Sequence, residues 1–103
     1  MTVGELAKVL NGKIVSGSEK TEVSGCYIGD LLSLAMSKIN SGEIWITIQT
    51  NINVIAVASL TDAGCIVICD GFNMDADALK KAQSEEISII ETGLYAYEAA
   101  KLI

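Results

Sequence analysis

The sequence predicts an α/β domain built on a largely parallel sheet of about five strands, and three observations lead there. From Gly42 onward, short apolar strand patterns alternate with capped helical patterns, the order that right-handed βαβ crossovers produce. One of those strands, Cys65-Ile66-Val67-Ile68-Cys69, is apolar at every position, as strands inside parallel sheets are. The chain has 103 residues, half of them hydrophobic and only 19% charged, which suits one buried core and argues against disorder. A single domain over residues 1–103 follows, with no internal repeat, linker or low-complexity segment.

Each element has its own signal. Thr2 followed by Glu5 forms a capping box, and Leu6, Val9 and Leu10 supply the apolar stripe of a short helix that stops at Asn11-Gly12. Lys13 to Ser16 reads as a strand, Gly17 to Glu22 as a polar loop, and Val23 to Ile28 as a second strand. These first two strands are expected to join the sheet antiparallel. Gly29-Asp30 then looks like a helix start, with Leu31, Ala35 and Ile39 spaced four apart, Lys38 in the last turn, and Asn40-Ser41-Gly42 as the stop. In Ile44-Trp45-Ile46-Thr47-Ile48 the alternation predicts a strand with two different faces.

From Asn51 or Asn53, good capping residues both, Val54 to Leu60 runs toward Gly64 with almost no polar face, so this helix is expected to be buried all round. Either its own domain or another subunit covers it. After the Cys65–Cys69 strand, Asp75 is placed to cap a helix through Leu79 and Ala82. Ser88 to Ile90 and Thr92 to Leu102 repeat the strand and capped-helix pattern.

Absences exclude whole classes of function. The chain has no histidine, and its seven basic residues are all lysines, so the commonest general base, the commonest metal ligand and the bidentate phosphate fork are missing. A net charge of −6 disfavours nucleic acid, whose affinity is built on neutralised phosphates. The only Gly-Lys pair, Gly12-Lys13, lacks the rest of a phosphate loop, and no Gly-x-Gly-x-x-Gly turn is present. Cys26, Cys65 and Cys69 read as buried small hydrophobes; the last two sit four strand residues apart, roughly 13 Å between α-carbons, too far for a local metal clip.

The acidic run Asp70 to Asp77 begins like a calcium loop. It lacks the turn glycine, and Ser84 stands where the bidentate glutamate belongs, so capping by Asp75, with Asp77 beside it, accounts for those residues. Glu85 and Glu86 read as a solvated helix end. No catalytic, metal or cofactor site is expected. The longest charge-free stretch, Ile44 to Thr61, is interrupted by Thr47, Gln49, Thr50, Asn51 and Asn53, so no membrane span is expected. The Met1 to Glu5 start has no secretion signal, which makes the cytoplasm the expected compartment.

Binding remains. In α/β sheets the ligand crevice lies beyond the carboxyl ends of the strands, where Gln49, Thr50, Asn51 and Asn53 follow one strand and Asp70 and Gly71 follow another. An amide-rich site of this kind suits a nucleotide base or a small metabolite, and the same residues also serve as turn and capping groups.

Three blocks, Val23 to Ser33, Trp45 to Thr50 leading into Ala56 to Leu60, and Thr92 to Ala100, carry a likeness to a known family. Across Thr2 to Ile103 the sequence resembles the stand-alone members of the DRTGG-domain family, related to the non-catalytic N-terminal domain of HPr kinase/phosphorylase. Asn51, Ile52 and Asn53 stand where the family's Asp-Arg-Thr stands, and Cys69, Asp70 and Gly71 where its Thr-Gly-Gly stands, so Gly71 alone matches. The resemblance implies a three-layer α/β/α domain that dimerises and that accompanies catalytic or CBS regulatory domains in longer proteins. It also implies kinship with small proteins encoded near iron-only hydrogenases in anaerobic bacteria. The serine-kinase label attached to the family belongs to a P-loop domain whose motif is missing here.

The expected function is therefore a non-catalytic regulatory or assembly module. It would work through protein contacts as a homodimer, with Val54, Val57 and Ala58 of one helix or Leu31 and Ala35 of another in the interface. The alternative is a small-ligand sensor using the crevice residues.

Overall fold

Strands that are apolar on both sides need a helical layer over each face, and the chain supplies two. The computed structural model describes residues 1–103 as α1 (Val3–Val9), β1 (Lys13–Ser16), β2 (Cys26–Ile28), α2 (Leu32–Lys38), β3 (Ile44–Thr47), α3 (Ile52–Thr61), β4 (Cys65–Ile68), α4 (Ala76–Ser84), β5 (Ile89–Glu91) and α5 (Ala96–Leu102). The strands form one sheet in the order β1-β5-β4-β3-β2. β2, β3, β4 and β5 are mutually parallel, and β1 alone runs antiparallel, against β5. The expectation that β2 joins antiparallel is corrected: the helix between β2 and β3 returns the chain to the same edge, which makes that pair parallel.

Alternation along β3 and β4 divides the core. Trp45, Ile66 and Ile68 point to one face, where α2, α3 and α4 pack; Ile44, Ile46, Cys65 and Val67 point to the other, under α1 and α5. The two clusters hold 13 and 12 buried residues, so neither face is left to solvent. This is the three-layer α/β/α arrangement. No helix is long and apolar enough to cross a membrane.

Local signals are kept at some ends and redirected at others. The Thr2–Glu5 box forms, the Thr2 amide donating to Glu5 Oε1 at 2.8 Å and the Glu5 amide to Thr2 Oγ1 at 3.2 Å. Val3, Leu6, Ala7 and Leu10 turn inward, which leaves Val9 outside the expected stripe. β2 is shorter than expected because Gly25 takes a positive φ of 80° and Val23 bonds instead to the Met1 carbonyl. Cys26 is exposed at this edge rather than buried.

The central helix α3 corrects the expectation of burial all round. Val54, Ile55, Val57 and Ala58 pack on the sheet, whereas Ile52 and Ala56 are exposed and Leu60 is 75% exposed. Its outer face is apolar too, so hydropathy could not tell inside from outside. Of the residues expected at an interface, Val54, Val57 and Ala58, together with Ala35 of α2, are buried in the core of their own chain, and Leu31 is on the surface.

Two outcomes test this packing. Val54→Lys places an unpaired ammonium in the core and should cost on the order of 4 kcal/mol, unfolding the chain by far-UV circular dichroism, while Leu60→Lys should stay within about 0.5 kcal/mol of the parent in urea titrations. The second concerns thiols. Burial pushes Cys65 up to about 12 and Cys69 up to about 11 from an ordinary 9.0, with Asp70, Asp30 and Cys26 adding to the latter. The folded state therefore holds these protons more tightly than the unfolded chain. Its stability is complete below pH 9 and falls as pH rises through the folded values. The urea midpoint should drop between about pH 9 and 11, less steeply in a Cys65→Ala/Cys69→Ala variant, and a thiol reagent at neutral pH should label Cys26 alone.

Candidate functional site

Because β2 to β5 are parallel, the residues that follow them gather along one edge of the sheet, and the six residues expected to bind a ligand all lie there. They form two groups. Gln49, Thr50 and Asn51 connect β3 to α3, with Asn53 in that helix's first turn, and Asp70 and Gly71 follow β4.

In the first group the side chains are spent on the loop itself. Asn51 Oδ1 accepts from the Asn53 amide at 2.9 Å and so caps α3. Asn51 Nδ2 donates to Gln49 Oε1 at 3.1 Å, and Gln49 Nε2 donates to the Asp30 carbonyl at 3.0 Å. Thr50 Oγ1 donates to Asp75 Oδ1 at 3.0 Å, which turns Asp75 away from the capping role expected of it, although it still precedes α4. Asn53 keeps a free, exposed side chain. Ile52, between the two asparagines, is exposed and offers no charge.

Asp30 is the residue that sequence reasoning misplaced. Rather than starting α2, its carboxylate accepts from Thr47 Oγ1 at 2.8 Å and from the Ile48 amide at 3.0 Å, tying the end of β2 to the end of β3. A signal was present: an Asp placed immediately after a strand in a parallel sheet stands beside the exposed end of its neighbour. Glu91, the last residue of β5, ties back to the loop after β4, accepting from the Met74 amide at 2.8 Å and from Asn73 Nδ2 at 3.0 Å.

The second group sits where the layers part. After β2, β3 and β4 the chain enters helices on one face, and only after β5 does it enter α5 on the other. The β4 and β5 ends are therefore the one place where consecutive loops diverge and a crevice can open. Here the loops are laced together: the Asp70 amide donates to the Leu94 carbonyl at 2.9 Å and the Gly71 amide to the Thr92 carbonyl at 3.0 Å. What is left is an open depression of about 340 Å³ beside Gly71, Asn73, Glu91 and Gly93. Asp70 and Gly71 both adopt positive φ, 61° and 74°, and the Asp70 carboxylate is exposed.

Asp30, Asp70, Asp75 and Glu91 make this edge acidic, with Lys13 paired in register beside Glu91. Such a field opposes a phosphate rather than cradling it. The largest hollow, about 800 Å³, is elsewhere, on the outer side of α1 between Thr2, Lys8 and the Glu19-Lys20 turn, and only two of its ten lining residues are hydrophobic. No group of three or more His, Cys, Asp or Glu side chains is placed to hold a metal ion.

No curated protein matches the sequence. Among solved structures, the fold is similar to the CBS and DRTGG domains of the regulatory region of Clostridium perfringens pyrophosphatase, complexed with its activator diadenosine tetraphosphate. The TM-score is 0.81 at 12% identity, covering 98% of this chain and 45% of that one. The chain thus spans less than half of that structure, and at this identity the likeness speaks for the fold alone. The sequence itself matches the DRTGG domain over residues 5–103, which leaves out only its first four positions, and the chain belongs to the DRTGG domain family.

Proposed function

We propose that the chain is a non-catalytic regulatory or assembly module that acts through protein contacts, as a homodimer and with a further protein partner. The observation that carries this reading is the state of the carboxyl edge. The side chains of Gln49, Thr50 and Asn51 hydrogen-bond within the fold, and the loops after β4 and β5 are bonded to each other. Against this closed edge stands a surface with large apolar side chains exposed, among them Leu31, Leu60, Phe72, Tyr95 and Tyr97. The resemblance to proteins encoded near iron-only hydrogenases makes the proteins of that system the first partners to test, by affinity purification and mass spectrometry from a native source.

A second reading, a small-ligand sensor, is favoured by one observation: the structurally similar regulatory region is complexed with diadenosine tetraphosphate. The acidic edge and the absence of arginine weigh against a nucleotide phosphate here.

Thermal denaturation separates the two readings. A ligand at ten times its Kd would add about 1.4 kcal/mol and raise Tm by about 6 °C or more. Diadenosine tetraphosphate, ATP and AMP at millimolar concentration are expected to leave Tm unchanged, and a rise of that size would favour the sensor. Asn51→Ala should cost about 1 kcal/mol of stability as a lost helix cap and leave complex formation with a captured partner unchanged. Labelled ATP should transfer no phosphate to HPr in the presence of the pure chain; transfer that survives removal of contaminating kinases would refute the non-catalytic assignment.

A further inference from the structure

An unpaired strand edge and an apolar helix flank lie together at one end of the sheet. β2 is an outermost strand, bonded to β3 on one side only. The Gly25 carbonyl accepts from the Ile44 amide and the Gly29 amide donates to the Ile46 carbonyl, both at 3.1 Å, so positions 25, 27 and 29 face β3. By the alternation of a strand, the N–H and C=O groups of Cys26 and Ile28 point outward, where the chain offers them no partner.

The two sheet edges differ in how they are defended. β1 carries Lys13 and a register shift between Ile14 and Ser16, and the Val15 carbonyl accepts from Gln83 Nε2 at 3.2 Å. β2 has no lysine, proline or bulge, and its Ile28 is 47% exposed.

Beside this edge, α2 turns Ala35 and Ile39 to the core, which puts Leu31, Leu34 and Lys38 on one flank. Leu31 is 64% and Leu34 44% exposed. With a right-handed crossover, that flank faces away from α3 and out over the β2 edge.

We propose that the β2 edge and the α2 flank bind a second copy of this chain, β2 pairing antiparallel with β2 across a two-fold axis at Tyr27. The proposal rests on the homodimeric part of the reading above. In this register Cys26 of one copy lies opposite Ile28 of the other, and each outward amide meets an outward carbonyl. An axis perpendicular to the sheet keeps both α2 helices on the same face, antiparallel and about 10 Å apart, an ordinary helix contact distance. Leu34 then meets its counterpart, and Lys38 falls toward the exposed Asp30 of the second copy. α2 itself carries no carboxylate, so the helix flanks of two copies of net charge −6 meet without acid opposing acid. One operation continues the sheet and the helix layer together.

Sedimentation velocity on the full chain at tens of micromolar should give a dimer. Ile28→Lys and Leu34→Lys, both at exposed positions, should each give a folded monomer by circular dichroism. Ile28→Cys should form a disulfide with Cys26 of the second copy on mild oxidation, since α-carbons in such a pair lie about 5.5 Å apart. The parent, with Ile28 opposite Cys26, should stay uncrosslinked on a non-reducing gel. A parent monomer, a dimer that survives both lysine substitutions, or a dimeric Ile28→Cys variant that does not crosslink would overturn the interface. A monomer that still captures a distinct protein would sink this interface alone. A dimer that this pattern of variants supports, but that captures no protein and gains Tm with diadenosine tetraphosphate, would keep the interface and sink the protein-contact reading.

Discussion

All eight side chains of β3 and β4 are buried, and they alternate between two faces. Leaving either face wet would forfeit about 1.5–3 kcal/mol for each large aliphatic side chain exposed, so the sheet is stable only between two helical layers. The crossover helices α2, α3 and α4 cover one face because each links neighbouring parallel strands in a single direction across the sheet. The other face has to be covered from the two ends of the sequence, and α1 and α5 do it. Trp45 illustrates how fully the requirement is met: its ring is buried under α2 and α3, and its one polar atom, Nε1, donates to the Gly29 carbonyl at 2.9 Å.

The same directionality explains the character of the carboxyl edge. A sheet whose strand order reverses in its middle opens a cleft between diverging loops. Here the order advances without reversal from β2 to β5, and the divergence comes only where α5 leaves for the opposite face. The acidic and amide side chains along this edge consequently meet their neighbours' backbones, and they act as ties between successive strand ends. Asp30 and Glu91 are two instances of one device, a carboxylate at the end of one strand accepting an amide from the loop after the neighbouring strand.

Most of the architecture was legible in the sequence because the strand signals are strong. Continuous apolar runs marked β4, alternation marked β3, and the Thr2–Glu5 spacing marked α1 to within a residue. What was not legible depended on tertiary choice. The orientation of β2 is set by where its crossover helix lands, which no local pattern encodes. The outer side of α3 was hidden because Ile52, Ala56 and Leu60 are as apolar as Val54 and Val57 on the inner side. The candidate ligand residues were placed at the correct edge by their positions after strands. That their side chains would bond to one another, and that Asp30 would join them, followed from strand adjacency, which a single sequence does not display.

The antiparallel pairing of β1 with β5 bears on how the chain comes to be folded during synthesis. Thr92 Oγ1 donates to the Leu10 carbonyl at 2.8 Å, and Ile14 pairs with Ile90, so the first helix and strand find their partners about eighty residues later. On the ribosome, the segment from β2 to α4 can collapse as soon as it emerges, since its contacts are between neighbours. β1 must meanwhile wait for β5, its one neighbour in the sheet, whereas α1 already has the 19–23 segment, β3 and β4 to pack against. The antiparallel edge is therefore the last part of the sheet to close, and until it does the ladder groups of β1 stay unpaired.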